Sequence, residues 1–240
     1  MKVRRIVKSG EDYMLQITDD AKDAEFIRQV NIKYAELFGE RYKKRMAEHF
    51  QNVQSMANGF LGQRMFQSML NQWHIPYLHD EMALKFVEDR IIGGDFKVYD
   101  FKNKKSVSIE VKTGCYGKSE LSPPYEYMLV NIEDWERNAS QGSTPDIVIG
   151  LRLTWDMLNA EIMGWTEGYN IVGLNDKSKA ERICSEEHPC YAIPYNMLHN
   201  FAELIPQLRR YSICHRGFDS LIKELKSASN SMYHNQPNST

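Results

Sequence analysis

Long apolar runs are missing from this chain. Nothing in its 240 residues approaches the ~18 consecutive apolar residues of a membrane-spanning helix. The opening Met-Lys-Val-Arg-Arg-Ile-Val-Lys also lacks the apolar core of a secretory signal. The expectation is therefore a cytoplasmic protein with no membrane partner. A large charge of either sign is missing too: 30 Lys and Arg stand against 32 Asp and Glu, for a formal net charge of −2. No global basic field advertises a nucleic-acid binder, although a balanced total still permits local patches. Closely spaced cysteines are absent, since Cys115, Cys184, Cys190 and Cys214 form no Cys-x-x-Cys pair. The expectation is free intracellular thiols, with a zinc site from Cys184, His188, Cys190 and Cys214 or His215 as the alternative.

What is present fits a globular protein. Hydrophobic residues make up 42% and charged residues 26%, and the length suits one sizeable core with an appendage. The most informative stretch runs from Gly93 to Gly114. Phe96, Val98 and Asp100 alternate with Lys97, Tyr99 and Phe101, and Val107, Ile109 and Val111 alternate with Ser106, Ser108, Glu110 and Lys112. This period-2 pattern predicts two strands joined by a polar turn over Lys102–Lys105.

Side chains at i and i+2 share a face of a strand, so Glu110 and Lys112 are neighbours. Asp95 opens the first strand after two glycines, and a turn centred near Asn103 places it opposite a residue close to Lys112. Two adjacent carboxylates repel, and a hard divalent cation such as Mg²⁺ relieves that repulsion while keeping several waters. A neighbouring lysine can orient an attacking water or add charge at a reacting phosphate. The plainer reading is a surface hairpin whose solvated face carries a Glu-Lys pair.

Asp95, fourteen intervening residues, and then Glu110-Val111-Lys112 resemble the metal-binding signature of the PD-(D/E)XK nuclease superfamily. The glycine pair before Asp95, the apolar residue between Glu110 and Lys112, and Thr113-Gly114 directly after add to the likeness. The resemblance implies that Asp95 and Glu110 hold Mg²⁺ (Mn²⁺ as substitute), that the Val111 carbonyl completes the shell, and that Lys112 serves the attacking water. It covers roughly residues 58–208. In the family the first core helix often carries an acidic residue near a Gly-Glu start; here Gln63 stands at that place. Either the site has one acidic ligand fewer, or Glu81, Glu88 or Asp89 contributes, and Gln63 is either an accessory site residue or an ordinary helix residue. Some members carry an iron–sulfur cluster, but here no cysteine precedes Asp95.

The rest of the chain is read around that hairpin. Residues 1–18 predict a strand pair, and helices follow over about 21–38 and 40–57. A third is expected from Gln63 to about Trp73 with Met65, Phe66, Met69 and Leu70 inward. His74, His79 and Asp80 have no spacing of a closed metal site. Cys115 to Pro124 is a loop whose Lys118 and Ser119 could reach phosphate. Tyr127 to Val130 is extended, Ile132 to Ala139 is a short helix, and Ile147–Leu153 reads as a central strand. Pro145-Asp146 superficially matches the other half of the family motif, but no Glu-x-Lys follows it, so turn chemistry before a buried strand is its reading. Strands are expected at Leu158–Gly164 and Tyr169–Val172, then helices at Met197–Leu208 and Phe218–Ala228 and a polar tail.

The expectation is an α/β protein with a restriction-endonuclease-like core, a central mixed sheet flanked by helices, preceded by an N-terminal helical lobe and followed by C-terminal helices. Its parts are residues 1–57, 58–228 and 229–240. Basic clusters at Arg41–Arg45, Lys102–Lys105 and Arg209-Arg210 with Arg216 read as solvated faces or as DNA contacts, with Lys102, Lys104 and Lys105 favoured for contact because their turn belongs to the hairpin. The function implied is a metal-dependent DNA endonuclease, restriction-type or structure-specific, possible as a homodimer. A non-catalytic nucleic-acid- or protein-binding module on the same fold is the contrasting reading, and an unrelated α/β protein with an incidental hairpin is a third.

Overall fold

The computed structural model describes residues 5–9, 12–16, 53–79, 94–100, 103–115, 125–154, 159–184 and 189–210. Apolar alternation in the strands builds a seven-stranded mixed sheet. Its strands are β1 (Arg5–Ser9), β2 (Asp12–Gln16), β3 (Tyr77–His79), β4 (Phe96–Asp100), β5 (Lys105–Cys115), β7 (Ile147–Leu153) and β8 (Asn159–Glu167), in the spatial order β1-β2-β8-β7-β5-β4-β3. The β5–β7 pair is parallel and its other neighbours are antiparallel. A parallel pair needs a crossover. Here it contains β6 (Tyr127–Asn131) and α2 (Ile132–Ser140), and β6 pairs with β9 (Cys190–Pro194) as a separate two-stranded sheet.

The two faces of β7 show how one strand serves two layers. Ile147, Ile149, Leu151 and Leu153 pack with Leu61, Met65, Phe66, Met69 and Leu70 of helix α1 (Val53–Gln72) and with Phe201, Leu204 and Leu208 of the last described helix, α4 (Phe201–Arg210). Val148, one residue out of phase, packs on the opposite face with Met128 and Val130 of β6, Trp135 of α2 and Ile193 of β9. A run buried on both faces reads as continuous apolar sequence, which is why β7 carries its expected bounds. Helix α2 starts where Asn131 Oδ1 accepts the Asp134 N–H at 2.8 Å, with Glu133 and Asp134 in its positive first turn. Helix α3 (Lys177–Ile183) is capped in the same way by Asp176, which accepts the Lys179 N–H at 3.1 Å.

Several expectations change. The N-terminal strand pair is present, but β2 docks on β8 and so extends the central sheet instead of standing with a separate lobe. Helix α1 runs unbroken through Asn58-Gly59 and Gly62, where the sequence suggests a boundary. Each helical glycine costs about 1 kcal/mol, but a Cβ on Gly62 would collide with the Thr113 side chain of β5; close packing outweighs propensity. The two strands expected around a Gly164–Gly168 turn are one strand, β8, followed by a 3₁₀ turn at Gly168–Asn170. Gly164 (φ +147°) absorbs a register shift against Gly150 and Leu151 and lets the strand continue. The helix expected from Met197 begins at Phe201, after β9 and a 3₁₀ turn at Tyr195–Met197.

Cys184 and Cys190 are paired as a disulfide with Cα atoms 6.0 Å apart, in place of the free thiols expected there, while the zinc alternative also draws on residues outside those described. Cys115 is the free cysteine among the described residues. The helices expected over 21–38 and 218–228, the tail, and residues Glu81, Glu88, Asp89, Lys102, Lys118, Ser119, Cys214 and His215 lie outside the described residues. Among the described residues no helix is long and apolar enough to cross a membrane.

Phe96 joins the layers beside the hairpin's open end. It is fully buried and meets the rings of Phe66 at 5.3 Å, Tyr77 at 5.7 Å and His79 at 4.6 Å between centroids. Phe96→Ala is expected to lower unfolding stability by about 3–5 kcal/mol, read from urea denaturation followed by circular dichroism. A loss below ~1 kcal/mol would show that this cluster does not anchor β4.

Candidate active site

The hairpin register puts Phe96 opposite Ile109 and Asp100 opposite Lys105. Asp95, just before Phe96, is therefore level with Glu110, at the expected Glu110–Lys112 end and one residue from the Val111 that a turn centred on Asn103 would give. The turn accounts for the shift. Asp100 accepts from the Asn103 backbone N–H at 3.2 Å and its side-chain amide at 2.7 Å, and Lys104 adopts φ +54°, so the chain reverses within Asp100–Lys105.

β4 stops where β5 continues, and Asp95 fills the place a further strand residue would take. Its Oδ2 accepts the Val111 backbone N–H at 2.7 Å, and its Oδ1 accepts from Gln63 Nε2 at 2.6 Å. A strand N–H points sideways in the plane of the sheet, so the Asp95 carboxylate lies at the sheet's edge between its two faces. Gln63 reaches it from the helical face, because Gly62 lets α1 settle against Thr113. Gly94 makes the turn into Asp95 with φ +143°, and a Cβ there would stand 2.9 Å from the Ile109 carbonyl oxygen. Only glycine tolerates both that backbone and that approach.

On the other face, Lys112 Nζ lies 2.6 Å from Glu110 Oε1, with the side chains 29% and 15% exposed. The structure thus brings Gln63, Asp95, Glu110, Val111 and Lys112 to one end of the hairpin. Since a strand residue's N–H and C=O point to the same edge, the Val111 carbonyl faces the edge that carries Asp95. Lys104 and Lys105 are exposed at the other end, Lys105 seven residues along β5 from Lys112, roughly 23 Å away at the rise of a strand. They lie beyond a reacting phosphate held at Lys112, though not beyond a neighbouring part of a long polymer.

The donor set fits a hard divalent cation in character. Asp95 and Glu110 supply carboxylate oxygens, Val111 a carbonyl, and Mg²⁺ is usually bound by one or two carboxylates with waters making up the rest. Among the described residues, no group of three or more His, Cys, Asp or Glu side chains is placed to hold a metal. His79 is buried against Phe96, away from any such role. Asp146 has a structural part: its Oδ2 accepts the Ser108 N–H at 2.8 Å and the Ser108 hydroxyl at 2.9 Å, while its own N–H donates to that hydroxyl at 2.9 Å. That clamp locks the start of β7 to β5 and explains Pro145-Asp146 without catalysis.

The residues around position 114 escape a motif reading. β5 and β7 align Lys112 with Gly150 and Gly114 with Arg152. Cβ atoms built on Gly150 and Gly114 would stand 3.1 Å from the Tyr195 ring and 2.8 Å from its hydroxyl, so the two glycines make room for Tyr195 across the Lys112 face. Glycine inside a strand is the sequence sign of such an approach. The Tyr195 hydroxyl is buried with no hydrogen-bond partner among the described residues, and burial pushes its pKa upward. Arg152 donates through Nε and Nη2 to Glu161 Oε2 at 2.9 and 2.6 Å. Compared with known proteins, the chain matches no family model, no curated protein and no solved structure.

Cys115 closes β5, and burial pushes its thiol up to about 11. The thiolate is the reactive form, so its share at pH 8 falls about a hundredfold relative to an ordinary thiol of pKa 9. Maleimide labelling followed by peptide mapping is expected to show Cys115 modified about a hundredfold more slowly in the folded chain than in urea. Equal rates would place this end of β5 in water.

Proposed function

We propose that the chain is a metal-dependent deoxyribonuclease that hydrolyses phosphodiester bonds at the Asp95–Glu110–Lys112 end of the hairpin. The observation that carries the reading is the convergence on Asp95: Gln63 from the first core helix and the Val111 N–H from β5 both bind its carboxylate, beside the Glu110–Lys112 pair. A chance solvated hairpin has no reason to draw a helix side chain 32 positions away onto the aspartate that the family motif singles out. The central mixed sheet with helices packed on it supports a restriction-endonuclease-like core.

Bound at Asp95 and Glu110, Mg²⁺ or Mn²⁺ would stabilise developing negative charge on a phosphate and acidify an attacking water. The chain's own residues do the rest. Gln63 and the Val111 amide fix the Asp95 carboxylate, so its orientation requires no reorganisation when substrate arrives. Lys112, held at Glu110 in this structure, carries the ammonium that would orient the attacking water or meet a phosphate oxygen. Partial exposure of both side chains leaves the site open to a polymer.

The test is incubation with supercoiled plasmid and with linear and branched DNAs, in Mg²⁺, in Mn²⁺ and in chelator. Metal-dependent cutting is expected, with Asp95→Asn and Lys112→Ala each reducing it at least ~100-fold at unchanged circular dichroism. Retained cutting in either variant would remove these residues from the chemistry. Binding without cutting in either metal would favour the alternative of a non-catalytic module, a reading encouraged by Gln63 where the family often has an acid.

Gln63→Glu gives a second check, because it sets a third carboxylate against Asp95. Without metal the variant is expected to melt lower than the parent, since like charges at hydrogen-bond distance repel. Mg²⁺ should then raise its melting temperature more than it raises the parent's, because ligand binding to the native state stabilises it. A thermal-shift titration that finds equal Mg²⁺ responses would exclude Gln63 from the cation's surroundings.

A further inference from the structure

The face of β5 that carries Glu110 and Lys112 has one more position, Gly114, and its surroundings are built. The space a side chain would take there is bounded by the Tyr195 hydroxyl at 2.8 Å and by the Leu151 carbonyl oxygen and Tyr125 Cβ at 3.9 Å. Arg152 stands opposite on β7. Its guanidinium is held by Glu161, donates through Nη1 to the Tyr125 carbonyl at 3.3 Å and lies 6.0 Å from the centre of the Tyr195 ring. Tyr125 is 48% exposed. Its backbone is tied down by that bond and, one residue on, by Glu126 accepting the Tyr195 N–H at 3.0 Å.

Here an exposed aromatic ring on an anchored backbone and an oriented guanidinium flank a strand position whose side-chain space is taken by the Tyr195 hydroxyl. That position lies one residue pair beyond Lys112, roughly 7 Å at the rise of a strand, which is comparable with one nucleotide step along a backbone. Stacking on aromatic side chains and charge on the backbone are the two contacts by which proteins take unpaired nucleic acid. In an intact duplex both faces of a base are covered by its neighbours, so a protein ring stacks only where the strand is unpaired or splayed.

We propose that Tyr125 and Arg152, around Gly114, form the subsite for the nucleotide next to the scissile phosphate, and that this nucleotide is unpaired. Tyr125 stacks on its base, and Arg152, held by Glu161, fixes the Tyr125 backbone from which the ring projects. The inference rests on the nuclease reading of Asp95, Glu110 and Lys112. Within that reading it selects a structure-specific enzyme, acting on single strands or flaps, over one that reads sequence in continuous duplex.

Fluorescence anisotropy with a labelled single-stranded oligonucleotide, a flap of the same sequence and the fully paired duplex tests this, with Ca²⁺ replacing Mg²⁺ so that binding is read apart from cutting. The parent is expected to bind the single strand and flap at least about tenfold more tightly than the duplex. Tyr125→Ala should weaken unpaired binding about tenfold and duplex binding less than twofold, with Tyr125→Phe restoring the parent affinity. Equal parent affinity for paired and unpaired DNA, or a Tyr125→Ala variant that binds single strands like the parent, overturns the subsite. If those outcomes accompany metal-dependent cutting of duplex DNA that is lost in Asp95→Asn, the nuclease reading stands and the subsite alone fails. Absence of both binding and cutting removes the two together.

Discussion

A carboxylate with a hydrogen bond on each oxygen organises this molecule's candidate site. Asp95 stands where β4 ends and β5 runs on, and it satisfies the Val111 N–H that a further residue of β4 would otherwise have met. An unpaired buried N–H costs about 1–3 kcal/mol, so the strand end and the aspartate stabilise each other. The second bond, from Gln63, requires helix α1 to lie directly on β5. That approach exists because position 62 has no side chain to meet Thr113. The placing of one acidic group therefore depends on the helix packing, the uneven strand lengths and the left-handed entry at Gly94.

The opposite layer acts on the same strand in a complementary way. The small β6–β9 sheet and α2 bury Val148, and Tyr195, at the end of β9, lays its ring over Gly150 and its hydroxyl at Gly114. Strand β5 is thus gripped on its helical face by α1, at its start by the Asp146–Ser108 clamp, and on its polar face by Tyr195. Within that grip the Glu110 and Lys112 side chains stay partly exposed. A strand fixed on both faces holds its side chains at set spacings, which suits a site that must position charge.

Charge balance gives the site its character. Asp95 and Glu110 bring two negative charges, and Lys112 offsets one through its contact with Glu110. Oxygen donors of this kind suit a hard cation. Arg152 and Glu161 form a second, largely buried pair on the next strands, which holds a guanidinium close to this region without adding net charge. Local arrangement, not the chain's overall balance, therefore governs what the site can bind.

Sequence alone determined the parts whose physics is local. Period-2 alternation located β4 and β5, a continuous apolar run bounded β7, and the order Asp95, Glu110, Lys112 named the acidic and basic groups that meet at one end of the hairpin. Tertiary structure decided what depends on residues distant in the chain. It carried α1 through two glycines, because close packing on Thr113 outweighs helix propensity. It ran β8 past Gly164, because a bulge absorbs the register shift, and it joined Cys184 to Cys190, a pairing that spacing does not reveal. It also turned Gln63 onto Asp95 and placed Tyr195, Arg152 and Tyr125 around Gly114. A strand's alternation states which side chains share a face, whereas which helix and which second sheet cover that face follows only from long-range packing.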